Sequence, residues 1–330
     1  MVDDRQQAFH ALGPEQVLDA VESAGHYCDG RLLALNSYEN RVYQVGIDGH
    51  EPLVAKFYRP GRWSDDAILE EHAFTRELDE LDIPVVAPLM NDNGETLLKS
   101  GPYRLALFPR RGGRAPSLDD PSHLEQLGRF FGRLHNVGAV KPFARRPLLD
   151  TDSYGIQSYQ FLLERGFIPA ALEIAYRSLS EELIQRIEDC YQRAGRLDII
   201  RLHGDCHAGN ILWTENGPHI VDLDDARMGP ALQDLWMFLS GDRAYMTARL
   251  ADLLVGYTEF RNFDARELHL LEALRTLRMM HYAAWLARRW DDPAFPLAFP
   301  WFNTPRYWDE HILSLREQAA MMDEPPLVWM

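Results

Sequence analysis

The hydrophobic pattern changes once along the chain, near residue 109. Before that point it is dominated by short segments rich in β-branched and aromatic residues. These segments predict antiparallel strands at 31–35, 41–47, 52–57, 85–90, 95–99 and 103–108. Apolar residues at helical spacing predict one helix within this run, from an N-cap at Ser64 to a break at Pro84, and a short helix precedes the run at 14–25. The first third of the chain therefore predicts a small lobe built on a sheet.

Beyond the segment 109–114, which is rich in Gly, Pro and Arg, the pattern becomes mostly helical. Helices are predicted at 121–137, 155–164, 179–194, 230–240, 244–260, 265–290 and 305–322. Residues 200–224 interrupt the helices with two short strands. A length of 330 residues suits two lobes. We therefore predict an α+β fold, with an antiparallel sheet and one helix over 1–108 and a larger, mostly helical C-terminal lobe over 109–330.

Charge balance and cysteine content limit the partners and the compartment. Lys and Arg number 34 against 50 Asp and Glu, and the net charge of −16 repels a nucleic-acid backbone over most of the surface. The three cysteines, Cys28, Cys190 and Cys206, are odd in number and widely spaced, unlike a disulfide framework. The acidic N-terminus lacks a signal-peptide pattern, and no apolar stretch is long enough to span a bilayer. We expect a cytoplasmic protein with neither a nucleic-acid nor a membrane partner.

The segment 203–210, with the sequence H-G-D-C-H-A-G-N, and Asp222 after an apolar strand carry the pattern of a phosphoryl-transfer site. Such a site needs a carboxylate that orients the attacking hydroxyl and oxygen ligands that fix Mg²⁺ on the phosphates. Asp205 and Asn210 have the D-x-x-x-x-N spacing of a kinase catalytic loop. Asp222 stands where a kinase carries its second metal ligand, and Mg²⁺ prefers sparse sites of this kind.

These residues resemble the aminoglycoside phosphotransferase and choline kinase branch of the protein-kinase-like fold, whose signature is H-G-D-x-x-x-x-N followed by a strand that ends in Asp. The resemblance extends over nearly the whole chain, through the segments 35–43, 56–60, 201–213, 221–227, 233–237 and 288–296. It implies a bilobal kinase fold, with ATP as phosphoryl donor and Mg²⁺ as cofactor. Within this branch the chain is most similar to bacterial serine/threonine protein kinases of the stress response, which implies a protein hydroxyl as acceptor.

The resemblance also assigns roles to the motif residues. Asp205 would be the catalytic base, and Asn210 and Asp222 would be Mg²⁺ ligands, with Asp222 also counted among the catalytic residues. A simpler interpretation stays open, in which these Asp and Asn side chains satisfy the backbone of a turn.

A zinc site is a second alternative for the same loop. His203, Cys206 and His207 are all competent ligands, but adjacent Cys and His lack the usual ligand spacing. The resemblance instead makes His203 a structural residue that holds the loop through backbone hydrogen bonds, and Asp234 a residue that braces it.

The nucleotide would be held mainly by the first lobe. Lys56 matches the lysine that contacts the α- and β-phosphates of ATP in kinases, although a lysine at a strand end is often an exposed edge charge. A helix carboxylate pairs with this lysine in the fold; Glu70 and Glu71 are both candidates, and the distance to the end of the helix favours Glu71. No Gly-rich loop precedes Lys56, so the turn 36–40 would cover the phosphates, with Ser37 as the nucleotide contact.

The segment 107–110 would form the hinge against which adenine lies, by analogy with kinases. Phe108 and Arg110 are therefore counted among the nucleotide-binding residues. For the Arg110 side chain, the pattern favours exposed surface over a contact with the phosphates.

The aromatic residues near the C-terminus predict core packing. An alternative is an aromatic acceptor groove formed by Trp290, Phe295, Phe299 and Trp301. Of these two roles, the sequence favours core packing.

Three functions remain in competition. The first is an ATP- and Mg²⁺-dependent serine/threonine protein kinase. The second is a small-molecule kinase for an aminoglycoside, a choline-like compound or another alcohol, because Asp222 is followed within a few residues by Gly229 and Pro230 and leaves no room for an activation loop that docks a peptide. The third is a catalytically silent nucleotide-binding regulator, against which the intact Asp205 and Lys56 argue.

Overall fold

The computed structural model describes residues 9–329. This part of the chain forms two compact units. The first unit contains the chain up to Pro116 together with the later segments Phe143–Arg146 and Ala208–Ala226. The second unit contains the intervening residues and the chain from Arg227 onward. The division differs from the single boundary after residue 108 that the sequence suggests, because two segments of the later chain pack with the first unit.

Strands and helices are numbered in chain order. The strands are β1 Cys28–Leu35, β2 Arg41–Ile47, β3 Leu53–Phe57, β4 Leu98–Ser100, β5 Tyr103–Pro109, β6 Ile200–Leu202, β7 Ile211–Thr214, β8 Gly217–Ile220 and β9 Arg227–Gly229. The helices are α1 Pro14–Ser23, α2 Asp65–Glu80, α3 Pro121–Gly138, α4 Gln157–Glu164, α5 Glu173–Ala194, α6 Leu232–Leu235, α7 Arg243–Tyr257, α8 Leu271–Arg288, α9 Ala294–Ala298 and α10 Pro305–Met321.

A five-stranded antiparallel sheet forms the base of the first unit. Its strands lie in the order β1-β2-β3-β5-β4, so β3 is central. Lys56 of β3 is opposite Val42 of β2 on one side and Ala106 of β5 on the other. Lys56 is buried in this central position. The interpretation of Lys56 as an exposed edge charge is therefore wrong.

The two helices of the first unit begin and pack as their sequences suggest. The Ser64 hydroxyl accepts the N–H of Ala67 and caps α2. Val17 and Val21 of α1 are fully buried in one core cluster with Phe57 and other sheet residues. Burial of such side chains is the main stabilising contribution to a lobe of this kind.

The segment 85–90 was predicted as a strand but forms a single bridge, between Val85 and Ile220. The N–H of Leu89 still donates to the carbonyl of Leu107, at 2.7 Å. Pro84 and Pro88 have no N–H to donate, which prevents a continuous ladder. The segment therefore lies beside the β7–β8 hairpin without extending the sheet.

In the second unit, α3 and α7 approach each other closely at three glycines, Gly128, Gly132 and Gly256. A Cβ at Gly128 would collide with the carbonyl oxygen of Leu253, and a Cβ at Gly256 would collide with that of Glu125. The side chains on both sides of this contact are largely apolar and buried. The glycines thus set the spacing of the two helices.

Two predicted helices of the second unit are interrupted. The predicted helix 230–240 is the short α6 followed by a 3₁₀ turn, and 265–290 begins with a 3₁₀ turn before α8. The Asp264 side chain caps that turn by accepting the N–H of Arg266 at 3.0 Å. Within residues 9–329, no helix combines the length and the apolar character needed to cross a bilayer.

Candidate active site

The β7–β8 hairpin positions two of the predicted metal ligands. Ile211 pairs with Ile220, and one step further the carbonyl of Asn210 accepts the N–H of Val221 at 3.0 Å. Asp222 follows directly, so Asn210 and Asp222 lie at the same end of the hairpin. Asp222 has a left-handed backbone, with φ of 63°. Asp tolerates this conformation better than most residues, and such backbone strain is concentrated at functional sites.

Lys56 is paired with carboxylates that follow this hairpin. Its Nζ lies 2.6 Å from Oδ1 of Asp222 and 3.5 Å from Oδ1 of Asp224. Burial by itself would lower the pKa of Lys56, but the carboxylates of Asp222, Asp224 and Glu71 outweigh it and raise that pKa. The amine is therefore cationic, as a phosphate contact requires.

Asp224 is the buried centre of a charged network in the first unit. Its carboxylate contacts Arg62 and accepts the side-chain amide of Asn40 at 3.1 Å, in addition to its ion pair with Lys56. The Arg146 guanidinium donates to the Asp224 carbonyl at 2.6 Å. Burial opposes ionisation, but Arg62 and Lys56 lower the pKa of Asp224 below its usual value. The network therefore adds a buried carboxylate partner to the contact between Lys56 and the half-exposed Asp222.

The structure separates the two candidate carboxylates of α2. Glu70 accepts the backbone N–H groups of residues 144–146, at 2.6 to 2.8 Å. Glu71 is buried, and the Thr75 hydroxyl donates to its Oε1 at 3.0 Å. Burial raises the pKa of Glu71, while the charge of Lys56 acts to lower it. Glu71 is thus the α2 carboxylate that influences Lys56, although the direct contacts of Lys56 are those given above.

The turn at residues 36–40 is anchored by two arginines. The Nε of Arg59 lies 3.1 Å from the carboxylate of Glu39, and the Nε of Arg62 lies 3.8 Å from it. Arg59 also donates to the Glu39 carbonyl at 2.9 Å. Ser37 is partly exposed within this anchored turn. Its predicted role as a nucleotide contact stays a prediction.

The predicted hinge residues differ in their surroundings. The ring of Phe108 meets the ring of His72 edge-on, with centroids 6.5 Å apart, and packs against the buried Tyr58 and Ile68. Arg110 is exposed. The Phe108 side chain is therefore part of the core, and backbone groups are what this segment can offer to a nucleotide.

In the second unit, Asp234 of α6 holds the loop before Asp205. Its two carboxylate oxygens accept the N–H groups of His203 and Gly204, each at 2.8 Å. Gly204 has φ of 89°, a left-handed conformation that favours glycine. His203 is fully buried, and its Nδ1 lies 3.4 Å from the N–H of Asp205. The predicted bracing role of Asp234 is confirmed.

A buried histidine supports Asp234 in turn. The Nε2 of His135 lies 3.2 Å from Oδ2 of Asp234, and its Nδ1 lies 3.0 Å from the hydroxyl of Tyr257. Burial lowers the pKa of His135. The neutral ring donates through Nε2, because a carboxylate only accepts, and its Nδ1 accepts from Tyr257. Burial opposes ionisation of Asp234, but the His135 hydrogen bond lowers the pKa of this carboxyl below its usual value.

Asp205 is contacted by a residue that the sequence analysis did not single out. The guanidinium of Arg278, on α8, donates to Oδ1 of Asp205. The Nε2 of His207 lies 4.0 Å from Oδ2. Arg278 is 73 positions from Asp205 along the chain, so no local motif marks it. Its one signal in the sequence is its place on the polar face of a helix.

The zinc interpretation of this loop does not hold. Cys206 is fully buried, and burial raises the pKa of its thiol well above the usual value. Metal binding requires the thiolate, which these surroundings disfavour. Within residues 9–329, no group of three or more His, Cys, Asp or Glu side chains is arranged to hold a metal ion.

Asn210 and Asp222 do fit a sparse divalent site. Asp222 is about half exposed and carries a carboxylate, and the partly exposed Asn210 offers an amide oxygen at the same hairpin end. Mg²⁺ takes one or two such protein oxygens and completes its coordination with water and phosphate oxygens.

The fold and these groups define a class of protein, the phosphotransferases of the protein-kinase-like fold. A family model described as "Phosphotransferase enzyme family" matches residues 31–271. The chain belongs to this family. The predicted α+β kinase-like fold and phosphotransferase activity toward hydroxyl groups are confirmed.

Curated relatives match nearly the full length of the chain, and two of them show the degree of similarity. Stress response kinase A of Salmonella choleraesuis (strain SC-B67) is 44% identical over 328 residues, which cover 99% of this chain and 98% of the relative. The protein called "Serine/threonine protein kinase RdoA" of Salmonella typhimurium has the same identity and coverage. The resemblance to kinases of this branch is confirmed.

Solved structures of lower identity share the fold. The amicoumacin kinase hAmiN, in complex with AMP-PNP, Ca²⁺ and Ami, has a TM-score of 0.71 at 19% identity and covers 95% of this chain and 94% of its own. A microcompartment-associated aminopropanol kinase has a TM-score of 0.67 at 19% identity and covers 93% of this chain and 96% of its own.

Proposed function

We propose that this phosphotransferase is an ATP- and Mg²⁺-dependent serine/threonine protein kinase of a bacterial stress response. The near full-length identity of 44% to relatives named as such kinases supports the acceptor class. The observation that carries the chemistry is the placement of Asp205. Its loop is fixed by the buried Asp234, and its carboxylate is held by Arg278.

The nucleotide half of the reaction falls to residues of the first unit. Lys56 is a buried cation that would bind phosphate oxygens, and Glu71 and Asp224 would keep its amine in place. Ser37 would offer its hydroxyl and backbone N–H to the phosphates. Phe108 would present backbone groups to adenine, and the neighbouring Arg110 would do the same.

The metal would be held by Asn210 and Asp222. When bound, Mg²⁺ neutralises charge on the phosphates and holds the γ-phosphate in line for attack. The Asp222 carboxylate already contacts Lys56, so the two side chains would share the phosphate region.

Asp205 would act on the acceptor. Its carboxylate orients the Ser or Thr hydroxyl and accepts its proton as the hydroxyl oxygen bonds to the γ-phosphorus. The bond from that phosphorus to the β–γ bridging oxygen breaks, and ADP leaves. This step uses no activation loop, which agrees with the short connection after Asp222.

The test is transfer of label from γ-labelled ATP in the presence of Mg²⁺. Purified protein is incubated with generic protein acceptors and, separately, with a panel of aminoglycosides and choline, beside the Asp205→Ala variant. Label on Ser or Thr that the variant loses supports the proposal. Label on a small molecule alone contradicts it.

A small-molecule kinase is the second candidate. It is favoured by the short connection between Asp222 and Pro230, which leaves no activation loop on which a peptide would dock. The third hypothesis, a silent nucleotide-binding regulator, predicts no transfer to either acceptor class. The cytoplasmic location stays a prediction, which cell fractionation would check.

A further inference from the structure

The short helix α6 supplies two side chains that hold the backbone just before Asp205. Gln233 and Asp234 are neighbours in this helix, and both are buried. Asp234 accepts the N–H of Gly204 at 2.8 Å, and the Nε2 of Gln233 donates to the carbonyl of the same glycine at 2.9 Å. Both polar backbone groups of Gly204 are therefore held by side chains of α6.

The carbonyl of Gly204 belongs to the peptide bond that leads into Asp205. A peptide unit is planar, so a contact that fixes its oxygen also fixes the direction of its N–H and of the next Cα. The N–H of this unit lies 3.4 Å from Nδ1 of the buried His203. Gly204 has φ of 89°, and glycine places few steric limits on its own backbone. The direction in which Asp205 leaves the loop is therefore set by these contacts.

Trp236 determines which end of the Gln233 amide faces the loop. Its indole Nε1 donates to Oε1 of Gln233 at 3.1 Å. An indole N–H only donates and a peptide carbonyl only accepts, so the amide satisfies both neighbours in one orientation. The reversed amide would oppose two donors at Trp236 and two oxygens at Gly204. Gln233 is 2% exposed, so water offers no replacement for a lost contact.

The segment that carries Gln233 is anchored at both of its ends. The buried Glu267 accepts the first N–H of α6 at 2.6 Å. At the other end, the guanidinium of Arg275 lies 5.6 Å from the ring centroid of Trp236, which is also buried. The Gln233 amide is therefore presented from a fixed backbone and is oriented by a fixed indole.

We propose that Gln233 is a positioning residue for phosphoryl transfer. It fixes the peptide before Asp205 and so directs the Asp205 carboxylate, and Trp236 acts through Gln233 by orienting its amide. The proposal rests on the proposed function, because Asp205 is the base in that function. Gln233 acts through the base alone, so its loss lowers kcat and leaves the affinity for ATP unchanged.

The test compares Gln233→Met with the wild type. Methionine has a similar length but no amide, so the carbonyl of Gly204 loses its donor. For transfer from ATP to a generic protein acceptor, kcat is expected to fall by at least about tenfold, because a misplacement of ~1 Å can cost about 100-fold in rate. The Kd for ATP is expected to stay the same. The matched control is Gln185→Met, which removes an exposed hydrogen bond to Asp189 in α5 and is expected to keep the wild-type kcat.

The same substitution in an Asp205→Asn background separates positioning from a general structural role. If Gln233 acts through the base, Gln233→Met lowers the residual transfer rate of Asp205→Asn no further, because the effects of residues that act as a unit are not additive. An equal fold-loss of kcat in the two backgrounds would overturn the proposal.

Trp236→Phe keeps the test informative if Gln233→Met does not fold. This variant retains the amide and removes the donor that orients it, so kcat is expected to fall less than in Gln233→Met, again with the Kd for ATP unchanged. Wild-type kcat in folded Gln233→Met or Trp236→Phe would overturn the proposal and leave the proposed kinase activity intact.

The acceptor used in the assay separates this proposal from the proposed function. If the wild type phosphorylates only a small molecule, the proposed acceptor class fails, and the comparison of kcat with that molecule decides the role of Gln233. No transfer by the wild type to either class of acceptor would overturn both.

Discussion

Asp224 combines deep burial with several charged contacts. Asp224→Asn removes the buried carboxylate that Lys56 and Arg62 share and leaves them only their other partners, Asp222 and Asp225, so we expect the free energy of unfolding to fall by about 1.5–3 kcal/mol. Urea denaturation measures this loss. The matched control is Asp225→Asn, because Asp225 also pairs with Arg62, at 2.8 Å, but is about a third exposed. The control should cost less than about 1 kcal/mol. Equal losses would contradict the central role of Asp224.

A second prediction at the scale of residues concerns Asp222 as a ligand of the proposed Mg²⁺ site. Asp222→Ala removes the proposed Mg²⁺ carboxylate, so Mg²⁺ should no longer strengthen nucleotide binding. We expect the gain in ATP affinity that Mg²⁺ gives to fall by more than about tenfold, because residues that only support metal ligands already contribute about that much. Titration of ATP with and without Mg²⁺ measures it, with Asp225→Ala as the control. If Mg²⁺ still strengthens ATP binding in Asp222→Ala as in the wild type, the ligand assignment fails.

At the scale of elements, the buried imidazole of His311 in α10 makes the stability of the protein depend on pH. His311 stacks on Tyr307 with centroids 5.7 Å apart, and burial lowers its pKa from 6.5 to about 4. Between these values the unfolded chain binds more protons than the folded chain, so stability falls as the pH falls from about 6.5 to about 4. The difference between these two pKa values of His311 corresponds to a loss of about 3 kcal/mol in the free energy of unfolding.

His311→Phe keeps a buried ring and removes the titrating group. We expect the stability of this variant to fall less than that of the wild type over the same pH interval. His72, whose pKa burial lowers to about 3, acts in the same direction and is unchanged in the variant. Urea denaturation at pH 7 and pH 4.5 gives the difference. Parallel loss of stability in both proteins would contradict the role of His311.

The elements with strong periodicity were predictable, and those set by tertiary contacts were not. Capping and spacing around Ser64 predicted α2, and alternation predicted the central strands. The strand predicted at 85–90 is reduced to one bridge, because prolines within and beside it remove ladder donors. The helix predicted at 265–290 begins as a 3₁₀ turn, where the buried Glu267 accepts the N–H of Leu232 at 2.6 Å. That contact joins distant segments, and local sequence does not encode it.

At the scale of the whole molecule, the motif residues were predictable because they lie in one short stretch of sequence. The residues that hold these motif residues in place were only partly predictable from the sequence. Asp234 follows the motif closely and was expected from the resemblance, whereas Arg278 reaches Asp205 from α8. The partners of the Lys56 amine also differ from those that the sequence predicted. The sequence favoured Glu71 as its partner, and the structure gives its direct contacts to Asp222 and Asp224.

The central claim is that Asp205 takes part in phosphoryl transfer while the first unit binds the nucleotide. The most direct measurement is the rate of γ-phosphate transfer by the wild type and Asp205→Asn, with ATP affinity determined for both. We expect the variant to keep its ATP affinity and to lose about 10²–10⁴-fold in transfer rate, the usual contribution of a positioned base. Wild-type transfer by Asp205→Asn would contradict the account.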